Sequence, residues 1–243
     1  VTEGKKIMAI AATAALVGAM GSALVLSATG SVQLSDRAAI EKIVREYILA
    51  NPEILPEAME NLRAKELGKV VAANRAAIET PIGDAWEGAA DADVTLVEFY
   101  DYACGYCRAS LRDIDRLLAE DKKLKVVYRD MPVLGEDSLE AARLSVAAAL
   151  AGKFRAMHKP LYAAGRPTPE VVEATRKRLG LDAKALRAPD VDRELARNLN
   201  LQRQLDLSGT PAWVVGDKVL VGAIGYEGLK AAIAEARAKS GAN

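Results

Sequence analysis

A chain of 243 residues with 51% hydrophobic content can bury one core of ordinary domain size plus accessory helices, which excludes a disordered tail. Its 33 basic residues are cancelled by 33 acidic ones, and the signs alternate along helical stretches instead of forming blocks. There is no electrostatic footprint for nucleic acid, and none is expected as a partner.

At the amino end, Lys5 and Lys6 precede an uncharged, almost unbroken apolar run from Ile7 to Ala28, followed by Thr29-Gly30-Ser31. Residues 1–30 therefore read as a signal peptide or a membrane anchor. The run is long enough to span a bilayer, and Ala12, Ala14, Ala23 and Ala28 offer candidate cleavage sites, so cleavage and retention as a tether through residues 7–28 both stay open. Lysines on the N-terminal side predict that this end stays in the cytoplasm and that everything after Ala28 is exported to an oxidising compartment.

The next segment, residues 35–80, has helical periodicity. Ser35 or Asp36 can cap its start, Ile40, Ile43, Val44, Tyr47 and Ile48 recur on one face, and Asn51-Pro52 breaks the helix. A second helical stretch carries Ile54, Leu55, Met59, Leu62, Leu67, Val70 and Val71. These helices either pack on their own domain or associate with copies of themselves through an apolar seam. Thr80-Pro81-Ile82-Gly83-Asp84 reads as a linker into a second domain over residues 84–243.

That domain begins with a strand over Val94 to Tyr100, a helix ending at Glu120, and a strand over Leu124 to Arg129, forming a βαβ unit. Apolar spacing is helical from Ser138 to Leu207, with breaks expected at Gly152, Pro160, Gly165 to Pro169, Gly180 and Pro189. A hairpin over 211–221 turns at Gly216-Asp217, and a helix over Tyr226 to Lys239 closes the order βαβ, helical insertion, ββα.

The two cysteines of the chain, Cys104 and Cys107, lie just past the first strand of the βαβ unit and open its helix. Unpaired N–H groups and the positive end of the helix dipole favour a thiolate at Cys104, and the two-residue spacer lets Cys107 reach back to a mixed disulfide formed there. A zinc site would need four ligands, and His158 is the one further strong nitrogen or sulfur donor, so no metal is expected. A purely structural disulfide this short would stabilise little. His158 itself reads as a packed helix residue.

The chain resembles the thioredoxin fold, and its long helical insertion resembles the DsbA-like branch of it. The likeness is carried by Val97 to Cys107, by Arg129 to Gly135 with Ser138, Ala141 and Ala142, by Phe154 to Leu161, and by Ser208 to Trp213. The N-terminal stretches Ile43 to Tyr47 and Asn51 to Ile54 are further similar to the suppressor-of-copper-sensitivity C (ScsC) proteins, in which such helices can mediate trimer formation. The resemblance implies an α/β thioredoxin fold with a helical insertion, preceded by a helical oligomerisation segment. It implies a periplasmic thiol:disulfide oxidoreductase with no organic cofactor.

Residue by residue, the resemblance implies Cys104 as nucleophile and Cys107 as resolving thiol. It places Thr210-Pro211 in a loop whose proline peptide is cis and whose backbone meets the substrate. Gly105-Tyr106 and Thr210 are isomerase-type residues, so the implied activity is isomerisation or reduction of misoxidised or unfolded proteins, with a membrane thiol reductase of the DsbD/ScsB type as electron donor. Glu98 falls where related proteins carry a buried acid that moves protons for the second cysteine; an exposed strand glutamate is the alternative. A DsbA-type dithiol oxidase and a Cu(I)-handling protein in copper tolerance are the rival functions.

Overall fold

The computed structural model describes residues 34–241, so the segment read as a signal peptide or anchor, residues 1–30, lies outside the described residues. Among the described residues no helix is long and apolar enough to cross a membrane. Contacts divide the chain into one unit up to Glu60 and another from Asn61.

The first unit is helical, as its periodicity predicts. Helix α1 (Leu34–Ala50) stops where Pro52 disfavours helical backbone at the residue before it. The Asn51 side-chain amide and backbone N–H both donate to the Tyr47 carbonyl, at 2.8 and 2.9 Å, and close the last turn. Helix α2 (Ile54–Glu79) starts here and continues into the second unit. Ile40, Ile43, Val44, Tyr47, Leu55 and Met59 are all exposed.

The second unit is built on a five-stranded sheet in the order β1-β3-β2-β4-β5, comprising β1 (Trp86–Gly88), β2 (Val94–Tyr100), β3 (Leu124–Asp130), β4 (Ala212–Val215) and β5 (Lys218–Val221). Strands β2 and β3 run parallel, linked by helix α3 (Gly105–Glu120), and the other pairs are antiparallel. Side chains alternate along a strand, so the central strand β2 serves two cores. Leu96 and Tyr100 share one with Ile114 and Leu117 of α3 and with Leu229 and Ile233 of the C-terminal helix α8 (Gly225–Ser240). Val97 and Phe99 share the other with Val71 and Ile78 of α2 and with Leu201.

Between β3 and β4 lies the helical insertion, formed by α4 (Glu136–Leu150), α5 (Phe154–Ala163), α6 (Pro169–Arg178), a 3-10 turn (Ala183–Arg187) and α7 (Pro189–Gln204). Pro169 and Pro189 open helices because a first-turn N–H has no intrahelical partner to lose. Pro160, expected to break the chain, sits inside α5. The Ala156 carbonyl, left without its donor from residue 160, accepts instead from Arg178 Nη1 at 3.2 Å. Strand β1 escapes sequence reading because three residues, Trp-Glu-Gly, carry no alternation. The 80–84 segment crosses the end of α4, where Gly83 has φ +49° and a Cβ would lie 2.0 Å from the Ala149 carbonyl oxygen, so only glycine fits.

The packed unit extends upstream of that segment because Arg129 of β3 reaches the end of α2. Its guanidinium is fully buried and donates to the carbonyls of Ala77 (2.8 Å), Ile78 (3.2 Å) and Thr80, and to the Glu194 carboxylate. The last carbonyls of a helix lack intrahelical partners and carry the negative end of its dipole, and one cation here meets both needs. Removing one partner of a buried pair strands the other, so Arg129→Ala should cost about 3–5 kcal/mol in urea unfolding. Adding Glu194→Leu should recover part of the loss; an Arg129→Ala variant within about 1 kcal/mol of wild type would show that the pair does not close the helix end.

Candidate functional site

The C-terminal end of β2 turns at Asp101 into α3, and the two cysteines sit on that turn. Cys104 is the N-cap residue, with extended backbone (φ −81°, ψ 117°), and its N–H donates to the Asp101 carbonyl at 3.0 Å. Its sulfur accepts from the Cys107 backbone N–H at 3.5 Å, as a cap side chain does. On the other side, the Cys104 thiol donates to the Thr210 carbonyl at 3.3 Å. Both cysteines are unpaired.

Access distinguishes them. Cys104 is 6% exposed and Cys107 is 0% exposed. Next to Cys104, a side chain at Gly105 would meet no atom within 4 Å, and Tyr106 is 70% exposed. The Thr210-Pro211 bond is cis, Pro211 is buried, and its carbonyl accepts from Gly222 N–H at 2.8 Å, which ties the loop to the end of β5. Trp213 follows in β4, fully buried, its indole N–H on the Gly222 carbonyl at 3.0 Å. The structure thus brings Cys104, Cys107, Gly105, Tyr106, Thr210 and Pro211 to one end of the sheet.

Glu98 lies beneath them on β2, between Tyr128 and Trp213 on the neighbouring strands. It is 1% exposed, which rules out the exposed-strand alternative, and its Oε1 makes no hydrogen bond. Burial first, and then the Cys104 sulfur, hold its carboxyl well above the usual carboxylate range. Burial also pushes the Cys107 thiol up, as does Glu98, while a hydrogen bond from the Asp101 backbone pulls it down. A desolvated carboxyl near a desolvated thiol can pass one proton between them, because neither is comfortable as an anion.

Sequence reading missed a polar cluster behind the dithiol. Tyr100 and Tyr102 hydroxyls lie 3.3 Å apart; Tyr100 bonds Ser145 at 2.9 Å and Tyr102 bonds His158 Nδ1 at 2.8 Å. His158 is buried and stacked on Phe154 with ring centroids 4.7 Å apart, a packing role as expected, although its Nε2 makes no hydrogen bond. Burial pushes its imidazole down to about 3. Asp130, at the end of β3, is pushed up to about 8 by burial against the pull of the Tyr100 and Ser145 hydroxyls. A charged residue ending an apolar strand was the one sequence signal for Asp130. Nothing local marked Ser145.

Residues 95–234 match the DSBA-like thioredoxin domain, and residues 36–66 match the copper resistance protein ScsC N-terminal domain. A thioredoxin-like oxidoreductase from Silicibacter pomeroyi is 34% identical, with a TM-score of 0.63 over 68% of this chain and 98% of that one. A linker-deletion form of Proteus mirabilis ScsC is 27% identical, with a TM-score of 0.66 over 86% of this chain and 99% of that one. The Na(+)/H(+) antiporter NhaA 1 of Salinispora arenicola is 30% identical over 163 residues, 64% of this chain and 25% of the antiporter. The chain therefore spans about a quarter of the curated relatives it matches.

The buried groups set how stability varies with pH. Asp130 keeps its proton in the native state up to about 8, against 3.8 ordinarily, and Glu98 likewise stays protonated above 4.5, so the unfolded chain binds fewer protons and stability falls as pH rises through that window. His158 acts oppositely. Below 6.5 the unfolded chain gains a proton that the native state refuses until about 3, so its contribution falls with acid. Urea midpoints should therefore decline from pH 6.5 to 8, and Asp130→Asn should flatten the decline; an unchanged slope in that variant would refute the assignment.

Proposed function

The chain is a thiol:disulfide oxidoreductase belonging to the DsbA-like thioredoxin domain family, with a ScsC-type N-terminal domain, and on that premise we propose that it reduces and isomerises wrong disulfides in exported proteins. The observation that carries the reading is the Cys104 sulfur at a helix N-cap, 3.3 Å from the Thr210 carbonyl, with Cys107 fully buried behind it. An incoming chain meets Cys104 first.

In the first step the Cys104 thiolate attacks one sulfur of the substrate disulfide, forms a mixed disulfide and expels the other substrate sulfur as a thiolate, which takes up a proton. Thr210 offers its carbonyl to the substrate backbone once the Cys104 thiol no longer occupies it. From the mixed disulfide two routes lead out. The freed substrate thiolate can attack another disulfide of its own chain, and a substrate thiol that then attacks the bound sulfur releases Cys104 unchanged, with no net electron transfer. Alternatively Cys107 gives its proton to Glu98 when that carboxyl is in its ionised form and attacks the Cys104 sulfur, expelling the second substrate sulfur as a thiolate that takes up a proton, which leaves a Cys104–Cys107 disulfide and a substrate reduced by two electrons. The second route requires an external dithiol reductant, for which a membrane reductase of the DsbD/ScsB type in the periplasmic setting is the fitting donor.

Self-association through the N-terminal helices belongs to the same reading. Ile43 is 64% exposed, Tyr47 60% and Met59 71%, an apolar complement that packing against a second copy would remove from water. A trimer would hold several dithiols at high effective concentration around one captured substrate, which favours reshuffling over simple oxidation.

Four measurements test this. Cys107→Ser should accumulate mixed disulfides with substrate and Cys104→Ser should not; the reverse pattern would exchange the two roles. Scrambled ribonuclease should refold faster than reduced ribonuclease is oxidised, and Glu98→Gln should slow resolution by roughly a hundredfold or more while leaving mixed-disulfide formation intact. Light scattering should report a trimer, which Ile43→Asp with Tyr47→Asp converts to monomer with loss of isomerase activity; a wild-type monomer would remove the oligomeric part of the proposal.

A further inference from the structure

We propose that Asp101 is the positioning residue of the dithiol turn, its carboxylate joining the segment that carries Cys104 and Cys107 to the loop after β3. The inference rests on the reading that those cysteines perform the exchange. Asp101 is 2% exposed, and both of its carboxylate oxygens and its carbonyl are engaged at this end of the sheet. Its Oδ1 accepts from Ala103 N–H at 2.8 Å, and its Oδ2 accepts from Val133 N–H at 2.8 Å and Leu134 N–H at 3.1 Å. Its carbonyl accepts from Cys104 N–H at 3.0 Å and from the Tyr162 hydroxyl at 3.1 Å.

The first of these bonds alone would be an ordinary turn in which an aspartate side chain reaches its own backbone two residues on. The second carboxylate oxygen changes the reading, because it leaves the turn and takes two N–H groups from a loop 32 and 33 residues further on. One planar group therefore fixes the distance between the turn bearing the nucleophile and the loop bearing Val133 and Leu134, which are 42% and 52% exposed. The separation between that loop and the turn that carries the cysteines is thus set through a single carboxylate. Attack on a disulfide demands a tight approach of the sulfurs, and a misplacement of about 1 Å can lower a rate about a hundredfold.

The test compares wild type with Asp101→Ala, Asp101→Asn and Cys104→Ser. One readout is the second-order rate with a glutathionylated peptide, in which Cys104 attacks the peptide sulfur, the peptide becomes disulfide-linked to Cys104 and glutathione leaves as thiolate. The other is the equilibrium constant of the dithiol couple in a glutathione buffer, which a loss of global stability alone would not move. Asp101→Ala, checked for folding by circular dichroism, should lower the rate at least tenfold and shift the equilibrium at least threefold. If Asp101→Ala fails to fold, Asp101→Asn decides on the same two thresholds, since it keeps one oxygen for Ala103 but turns an amide NH2 toward the Val133 and Leu134 donors. A rate and an equilibrium constant both within twofold of wild type in the folded variant would overturn the inference. A Cys104→Ser protein that still takes up the peptide would instead overturn the dithiol reading beneath it.

Discussion

A guanidinium taken wholly out of water must find all of its acceptors within the protein, and Arg129 finds them at the end of α2 and on Glu194 of α7. The consequence runs through the whole second unit. Strand β3, which carries Arg129, is parallel to β2, and β2 ends in the redox turn. The helix end, the insertion and the strand beside the active strand are thus locked to one another by a single charge whose arrangement has no half-satisfied alternative. Hydrophobic burial supplies the drive to fold, but it is non-directional; this pair fixes how the layers meet.

The active end of the sheet is arranged on the opposite principle. Glu98 and Cys107 are desolvated without being matched to a fixed counter-charge, and Asp130 and His158 behind them are held away from their ordinary protonation states. Such groups lower stability, and a raised carboxyl beside a raised thiol is a pair able to exchange a proton. Asp101 shows the other half of the design. Its carboxylate accepts three backbone N–H bonds, and a satisfied network of that kind holds the segments it joins in one arrangement.

How much of this could be read from the chain depended on how local the cause was. The position of Cys104 and Cys107 at the turn from β2 into α3 was legible because a strand end, a helix start and a two-residue spacer are all sequence patterns, and the order βαβ, helices, ββα followed from periodicity. Glu98 was not decidable from its neighbours: β2 is covered on both faces, so Val97 and Phe99 beside it are buried whichever way Glu98 points. Pro160 was misread because the donor that satisfies the Ala156 carbonyl comes from Arg178, in another helix. Val71 lies in a helical stretch whose periodicity left packing on its own domain and self-association open; with Ile78 it fills the second core once the sheet exists to receive it. In each case the deciding partner is distant in sequence.

The two tryptophans sit in contrasting surroundings. Trp86 is at the sheet edge with Lys125 and Arg155 over its ring, whereas Trp213 is fully buried in the same core cluster as both cysteines. Indole emission shifts to the blue in a dry environment and is quenched by a nearby disulfide more strongly than by thiols. The buried ring therefore serves as a built-in optical probe of the couple, distinguishable by wavelength from its polar companion. A change in the bonding state of the two sulfurs would then be read on the unlabelled protein, from a ring that shares their core.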